Sequence, residues 1–182
     1  MQCNSDVCLV SLAHHVPVTN TSFAGVAEGN ELCKGHLHET ASLAVLTTSN
    51  LAELAGKLVE ELHLPHFIHA RKHGTGKPEI AWGGEERRDE WERDGWEREY
   101  PWHTASGQPN DCDGAGSEPC VFVGPGGRWF DFACGPKTAD GTTPGPEITW
   151  GEERSMFQIH PLCIVKAGRV AAKQEGGGRD EL

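Results

Sequence analysis

The sequence predicts an α+β domain, loop-rich and stapled by disulfides, and three observations predict it. Helical and strand-like apolar patterns alternate through the first half, while short strands separated by turns fill the second. Seven cysteines are scattered as singles along 182 residues, with no Cys-x-x-Cys pair to suggest a zinc knuckle or a redox site. The 23 glycines and 11 prolines add to the second point, because they supply turn geometries and interrupt regular elements.

The length suits one domain with a proper core, expected over residues 1–168 and followed by a mobile, glycine-rich tail over 169–182. Hydrophobic residues make up 37%, so the core is modest and gains from crosslinks, which persist where the environment is oxidising. A secreted or secretory-lumen location follows as the expectation. A formal charge of −11 argues against nucleic acid, since phosphate binding draws on a surplus of Lys and Arg. No stretch approaches the roughly 20 apolar residues of a membrane span. The run Val7 to Ala13 is too short for a leader with a basic flank.

In chain order, Leu9-Val10-Ser11-Leu12 reads as a first, edge strand. Phe23, Val26, Ala27 and Leu32 fall at helical spacing, with Ser22 as N-cap and Gly35 as the stop. Ser42 to Thr47 reads as a buried strand. Leu51, Leu54, Ala55, Leu58, Val59 and Leu62 share one face of a second helix, with Asn50 and Glu53 as a capping-box-like pair and Pro65 ending it. Phe67 to Arg71 is a short strand. Residues 83–100 are crowded with Glu, Arg and Asp around Trp91 and Trp96, and read as an exposed charged insertion or, less simply, a partner-binding face. Cys120 to Val123 and Arg128 to Phe132 form a hairpin across Gly126-Gly127. A loop insertion is expected over 135–155, and Met156 to Ile159 and Leu162 to Val165 close the domain as strands.

One ordered set of residues points to a family. Trp102, then Gly107-Gln108-Pro109-Asn110-Asp111, then Glu118-Pro119-Cys120-Val121, then Gly127-Arg128-Trp129-Phe130-Asp131 and Cys134 resemble the long-loop signature of C-type lectin domains. Upstream, Glu31-Leu32-Cys33-Lys34-Gly35 and Leu43-Ala44-Val45-Leu46 resemble that family's first-helix cysteine and the strand after it. Phe67-Ile68-His69-Ala70-Arg71 sits where the family has Trp-Ile-Gly. The resemblance spans Ser11 to Val165. It implies a C-type lectin-like fold, two helices flanking short antiparallel sheets beside a long ligand-binding loop. It also implies Cys33–Cys163 and Cys120–Cys134 disulfides. Cys3 and Cys8 are then candidates for a local bridge, and Cys112 is left over; any of these three can equally be reduced or paired otherwise.

The function implied by the resemblance is calcium-assisted carbohydrate binding, with no enzyme activity. Calcium is held by about six to eight oxygen donors. By resemblance the donors to calcium and sugar are Gln108, Asn110, Glu118 and Asp131, with Asp111 a candidate for a second metal site and Asp113 another nearby carboxylate. Pro109 carries the peptide bond that is cis in calcium-bound members. Two departures weaken the set. Phe130 stands where calcium-binding members have Asn, and Gln108 stands where mannose binders have Glu. Phe130→Asn is accordingly expected to tighten calcium binding. Gln first and Asn third mix the galactose-type and mannose-type patterns, so the sugar stays open. The rival reading is a calcium-independent C-type lectin-like domain with a protein ligand, and Phe130 favours it. Trp91, Trp96 or Trp102 could stack on a sugar ring, but Trp102 and Trp129 are read first as core.

Other signals are set aside. His36 with His38, and His63, His66 and His69, lack partners spaced for a tetrahedral zinc site and read as surface or packing residues. No Gly-x-Ser-x-Gly, His-Glu-x-x-His or phosphate loop occurs. Asn20-Thr21-Ser22 fits the N-glycosylation pattern and agrees with secretion. The terminal Arg179-Asp180-Glu181-Leu182 resembles an ER retrieval signal; either the chain is retained in the lumen or four residues coincide, and without a visible leader coincidence is favoured.

Overall fold

The structure, a computed structural model, describes residues 1–13, 26–46, 48–73, 79–81, 101–110, 120–132, 147–150, 153–156 and 159–168. The charged insertion, most of the long loop with Asp111, Cys112, Asp113 and Glu118, Cys134, the Asn20 sequon and the tail lie outside them.

The core begins with an N-terminal hairpin, β1 (Gln2–Cys3) and β2 (Val7–Ser11), crosslinked by Cys3–Cys8. Asn4 closes its turn, its Oδ1 accepting from the backbone N–H groups of Asp6 and Val7 at 2.9 and 2.8 Å. Helix α1 runs Val26–His36 and buries Gly29 and Cys33, one turn apart. It therefore continues past Gly35, which has no left-handed φ and is not the stop; Ser22 and Phe23 lie outside the described residues. Asn30 ties the helix to β3 (Ser42–Leu43), its Oδ1 accepting from Leu43 N–H at 2.8 Å.

The strand expected over Ser42 to Thr47 is thus only two residues long. Ala44, Val45 and Leu46 are buried all the same. Ala44 bridges two neighbours instead of running along one, donating to Leu162 O at 2.7 Å and accepting from His69 N–H at 2.8 Å.

Helix α2 spans Ser49–Leu62 and buries Leu51, Ala55, Leu58 and Val59 from the predicted face, together with Ala52 and Gly56. Its N-cap is Thr48, whose side chain accepts from Leu51 N–H at 3.2 Å, so the Asn50–Glu53 pair does not cap it. Glu53 instead pairs with Lys57 one turn on, at 2.8 Å and in solvent. The chain leaves the helix through His63 in the left-handed region at φ 51°, two residues before Pro65.

The remaining strands are β4 (His66–His73), β5 (Glu79–Ala81), β6 (Cys120–Val123), β7 (Trp129–Phe132), β8 (Glu147–Trp150), β9 (Glu153–Met156) and β10 (His160–Lys166). The main sheet has the order β1-β2-β10-β4-β6-β7, with β3 also on β10 and β5 on β4. Pairing is antiparallel except where His160 and Pro161 of β10 run parallel to His66 and Phe67 of β4. The first apolar strand is consequently interior, with β1 on one side and β10 on the other. Strands β8 and β9 form a separate antiparallel hairpin within the stretch expected to be a loop insertion. The strand expected over Met156 to Ile159 ends at Met156, and the last strand starts two residues earlier than expected.

Cys33–Cys163 joins α1 to β10 across a sequence separation of 130. Cys120 is also disulfide-bonded, and its partner lies outside the described residues. Where β2, β4 and β10 meet, His66 is fully buried and satisfied at both ring nitrogens. Nδ1 donates to Leu64 O at 2.8 Å and Nε2 accepts from Ser11 Oγ at 2.6 Å. That arrangement needs a neutral ring. Burial, and secondly the neighbouring His160, push its pKa down to about 3.

Candidate functional site

The β6–β7 hairpin is the platform. Its turn, Pro125–Gly127, places Gly126 and Gly127 at φ 67°, a conformation that favours glycine. The turn packs against α2, where a Cβ on Gly56 would stand 3.1 Å from Gly127 Cα, and Glu60 Oε1 accepts from Gly126 N–H. Four residue pairs, Cys120↔Phe132, Val121↔Asp131, Phe122↔Phe130 and Val123↔Trp129, set the register. Alternation then puts Trp129 and Asp131 on one face of β7, and Phe130 and Phe132 on the other.

Strand β7 is the last in the sheet, and its open edge is where the signature residues collect. Pro101 O accepts from Trp129 N–H at 2.8 Å and Trp129 O accepts from His103 N–H at 3.0 Å, so residues 101–103 extend the sheet briefly. A 3-10 turn, Thr104–Ser106, and Gly107 at φ 77° then send the chain around. It returns at Gln108, whose N–H donates to His103 O at 3.2 Å, and the Gln108–Pro109 peptide bond is cis.

Here two separated stretches meet. Asp131 N–H, a donor on the open edge of β7, is taken by Gln108 Oε1 at 3.0 Å. Asp131 Oδ1 in return accepts from Asn110 N–H at 3.1 Å. Asp131 is only 3% exposed, so its carboxylate serves the loop from inside. Of the sequence-predicted site, the structure brings Gln108, Asn110 and Asp131 together, while Glu118 and Asp111 lie outside the described residues.

Phe130 is built into the packing. It is 9% exposed and its ring lies between two others, 5.0 Å from Phe122 with planes at 5° and 4.9 Å from His103 with planes at 19°. Gly124 lies so close beneath that a Cβ there would come within 2.8 Å of Phe130 Cε2. Trp102 and Trp129 are core, 8% and 0% exposed and in edge contact at 6.2 Å.

His103 is the residue that sequence reasoning missed. Its half-buried ring covers Phe130, and its Nδ1 lies 2.6 Å from Ser106 Oγ. Ser106 Oγ also donates to His103 O at 3.1 Å, which leaves its lone pairs to accept from the ring in the tautomer with a proton on Nδ1; in that tautomer Nε2 is an acceptor. No local motif marks this histidine, because the stack exists only once residues 101–103 lie along β7.

No protein-family model matches the sequence, and a search of curated proteins found no match. Solved structures do resemble the chain. One is the C-type lectin domain of murine dendritic cell inhibitory receptor 2 in complex with N-glycan, at 18% identity over 91% of this chain and 94% of that one, with a TM-score of 0.47. A second is the mouse scavenger receptor C-type lectin carbohydrate-recognition domain, at 12% identity over 91% and 92%, TM-score 0.44. A third is herring type II antifreeze protein, at 16% identity over 90% and 94%, TM-score 0.47. In this chain α1 is crosslinked to the last strand, and the Gln-Pro-Asn loop lies against the hairpin's Asp, as the sequence resemblance implies.

Calcium is the metal that the sequence resemblance implies, and the described donors fall short of its shell of about six to eight oxygens. Asp131 is the carboxylate of the described set, and its Oδ1 accepts from Asn110 N–H. Gln108 Oε1 is turned to Asp131 N–H, so a cation there would meet the positive end of that amide. Phe130 contributes no oxygen. Among the described residues no cluster of three or more His, Cys, Asp or Glu is placed to hold a metal.

Proposed function

We propose that this chain is a carbohydrate-binding module of the C-type lectin-like kind, not an enzyme, and that the sugar is taken at the loop Gln108 to Asn110 beside Asp131. The observation that carries the reading is the reciprocal pair of hydrogen bonds between that loop and β7. It fixes the Gln108 side chain and the Asn110 backbone at the edge of the hairpin, with Asn110 exposed and Gln108 half-buried. Amides match sugar hydroxyls well, offering both donors and acceptors. The disulfide-linked framework suits an extracellular or secretory-lumen setting. In the form the sequence resemblance implies, calcium assists, and Glu118 would have to supply the missing charge.

Phe130 favours a second reading, a calcium-independent domain with a protein ligand, because its burial puts a ring where the metal form needs an oxygen. A glycan array probed in excess calcium and again in excess chelator separates the two. Specific glycan binding in either buffer supports the first reading. Absence of any glycan signal in both, from a folded protein, overturns it in favour of the second.

A further inference from the structure

We infer that this chain recognises a neutral sugar without a metal ion, on a surface made of the His103 ring and the side-chain amides of Gln108 and Asn110, with Asp131 as the positioning residue. This rests on the carbohydrate reading above and departs from it on how the loop is held and what the sugar touches.

Two of the oxygens that a cation would need already hold the loop. Gln108 Oε1 takes Asp131 N–H at 3.0 Å, and Asp131 Oδ1 takes Asn110 N–H at 3.1 Å, so each stretch pins the other with the protein's own hydrogen bonds. Both acceptors are in the half-buried or buried class, where such bonds are worth more than in water. Asp131, 3% exposed, makes its bond to the backbone of the loop that a metal would otherwise organise.

The atoms left over are those that suit a sugar. Gln108 Nε2 and the Asn110 side-chain amide have no partner among the described residues and offer donors and an acceptor to hydroxyl groups. His103 adds an aromatic surface, since its ring is backed by Phe130 at 4.9 Å and by Phe122 beyond, and it is half-exposed. A pyranose presents one apolar C–H face that packs on such a ring. His103 Nε2, an acceptor in the tautomer that places the proton on Nδ1 towards Ser106, faces a hydroxyl at the ring's rim in the proposed complex. With a chain charge of −11, a neutral glycan is favoured over an anionic one.

The test uses the whole chain and neutral oligosaccharides from the array, titrated calorimetrically in excess calcium and in excess chelator. The expected Kd is the same in both, and His103→Ala weakens binding by about fivefold to tenfold, the loss of one aromatic contact. His103→Phe, which keeps the stack, retains most of the affinity; thermal melts of both variants verify folding. Amide hydrogen exchange at Asn110 and Asp131 is slow in chelator. Binding confined to calcium, or amides protected only in calcium, overturns metal independence and leaves the carbohydrate reading standing. Metal-free binding that His103→Ala leaves unchanged overturns the surface assignment. No neutral glycan bound in either buffer overturns this inference, and only the absence of every glycan, anionic ones included, overturns the carbohydrate reading with it.

Discussion

Phe130 is where the sequence resemblance and the packing pull apart. Read along the chain, it is an oxygen donor lost; in the fold, it is the middle ring of a stack on Phe122 and His103, resting on Gly124. Phe130→Asn therefore removes a buried ring and introduces an amide. The expected result in urea denaturation is a loss of about 3 kcal/mol of unfolding free energy, whatever it does to calcium affinity, and a loss below about 1 kcal/mol would contradict the stack. His66 makes a second residue-scale prediction. Its folded pKa lies near 3 against an ordinary value of 6.5. Above pH 6.5 the ring is neutral in both states and stability is unaffected. As pH falls from 6.5 towards 3, the unfolded chain takes up a proton that the folded chain refuses, so stability falls by up to about 1.4 kcal/mol per pH unit. Denaturation midpoints measured between pH 6.5 and 5, above the carboxylate range, isolate this from acid groups. His66→Gln should flatten the slope in that window, and an equal slope in the variant would assign it elsewhere.

At the scale of elements, α2 shows how a correct helix can have a misread beginning. Its apolar face is periodic and dominates the local pattern, yet the orphan N–H groups at its start are served by Thr48, two residues upstream of Asn50. Thr48→Ala should lower stability by about 1 kcal/mol, while Asn50→Ala, at an exposed helical position, should stay within about 0.5 kcal/mol. Chemical denaturation of the pair decides it: equal effects would return the cap to Asn50. Strand β7 is the complementary case. Its edge is closed for one pair by backbone from residues 101–103 and then by the Gln108 side chain, which takes the N–H that a longer strand would have used. An open edge is thereby covered by the chain's own backbone and side chain.

For the molecule as a whole, the crosslinks differ in reach. Cys33–Cys163 closes a separation of 130 residues and ties the first helix to the last strand, whereas Cys3–Cys8 closes only 5. Loop entropy grows with closed length, so replacing Cys33 and Cys163 together by Ser should lower stability by about 2–5 kcal/mol. The same replacement at Cys3 and Cys8 should cost visibly less. Guanidinium melts of the two double variants test the order, and a larger loss from the short bridge would show that the long one is not holding the fold together.

The α+β class, the two helices and the β6–β7 hairpin were legible in the sequence, each from a periodicity or a turn residue that lies within a few residues of chain. The grouping of Gln108 and Asn110 with Asp131, across 23 and 21 residues, was implied by the family resemblance alone. The interior place of β2, the two-residue β3, the β8–β9 hairpin and the parallel contact of β10 with β4 were not legible, since strand order depends on partners distant in sequence. The same reason hid His103. Its neighbours in the chain say only that it is a histidine after a tryptophan, and its ring acquires a role when residues 101–103 pair with β7 and set it over Phe130. Residue types and their spacing determined which groups were available to meet a ligand. Tertiary packing decided which of their atoms are spent on one another and which are left facing outward, because hydrogen-bond partners are chosen in space.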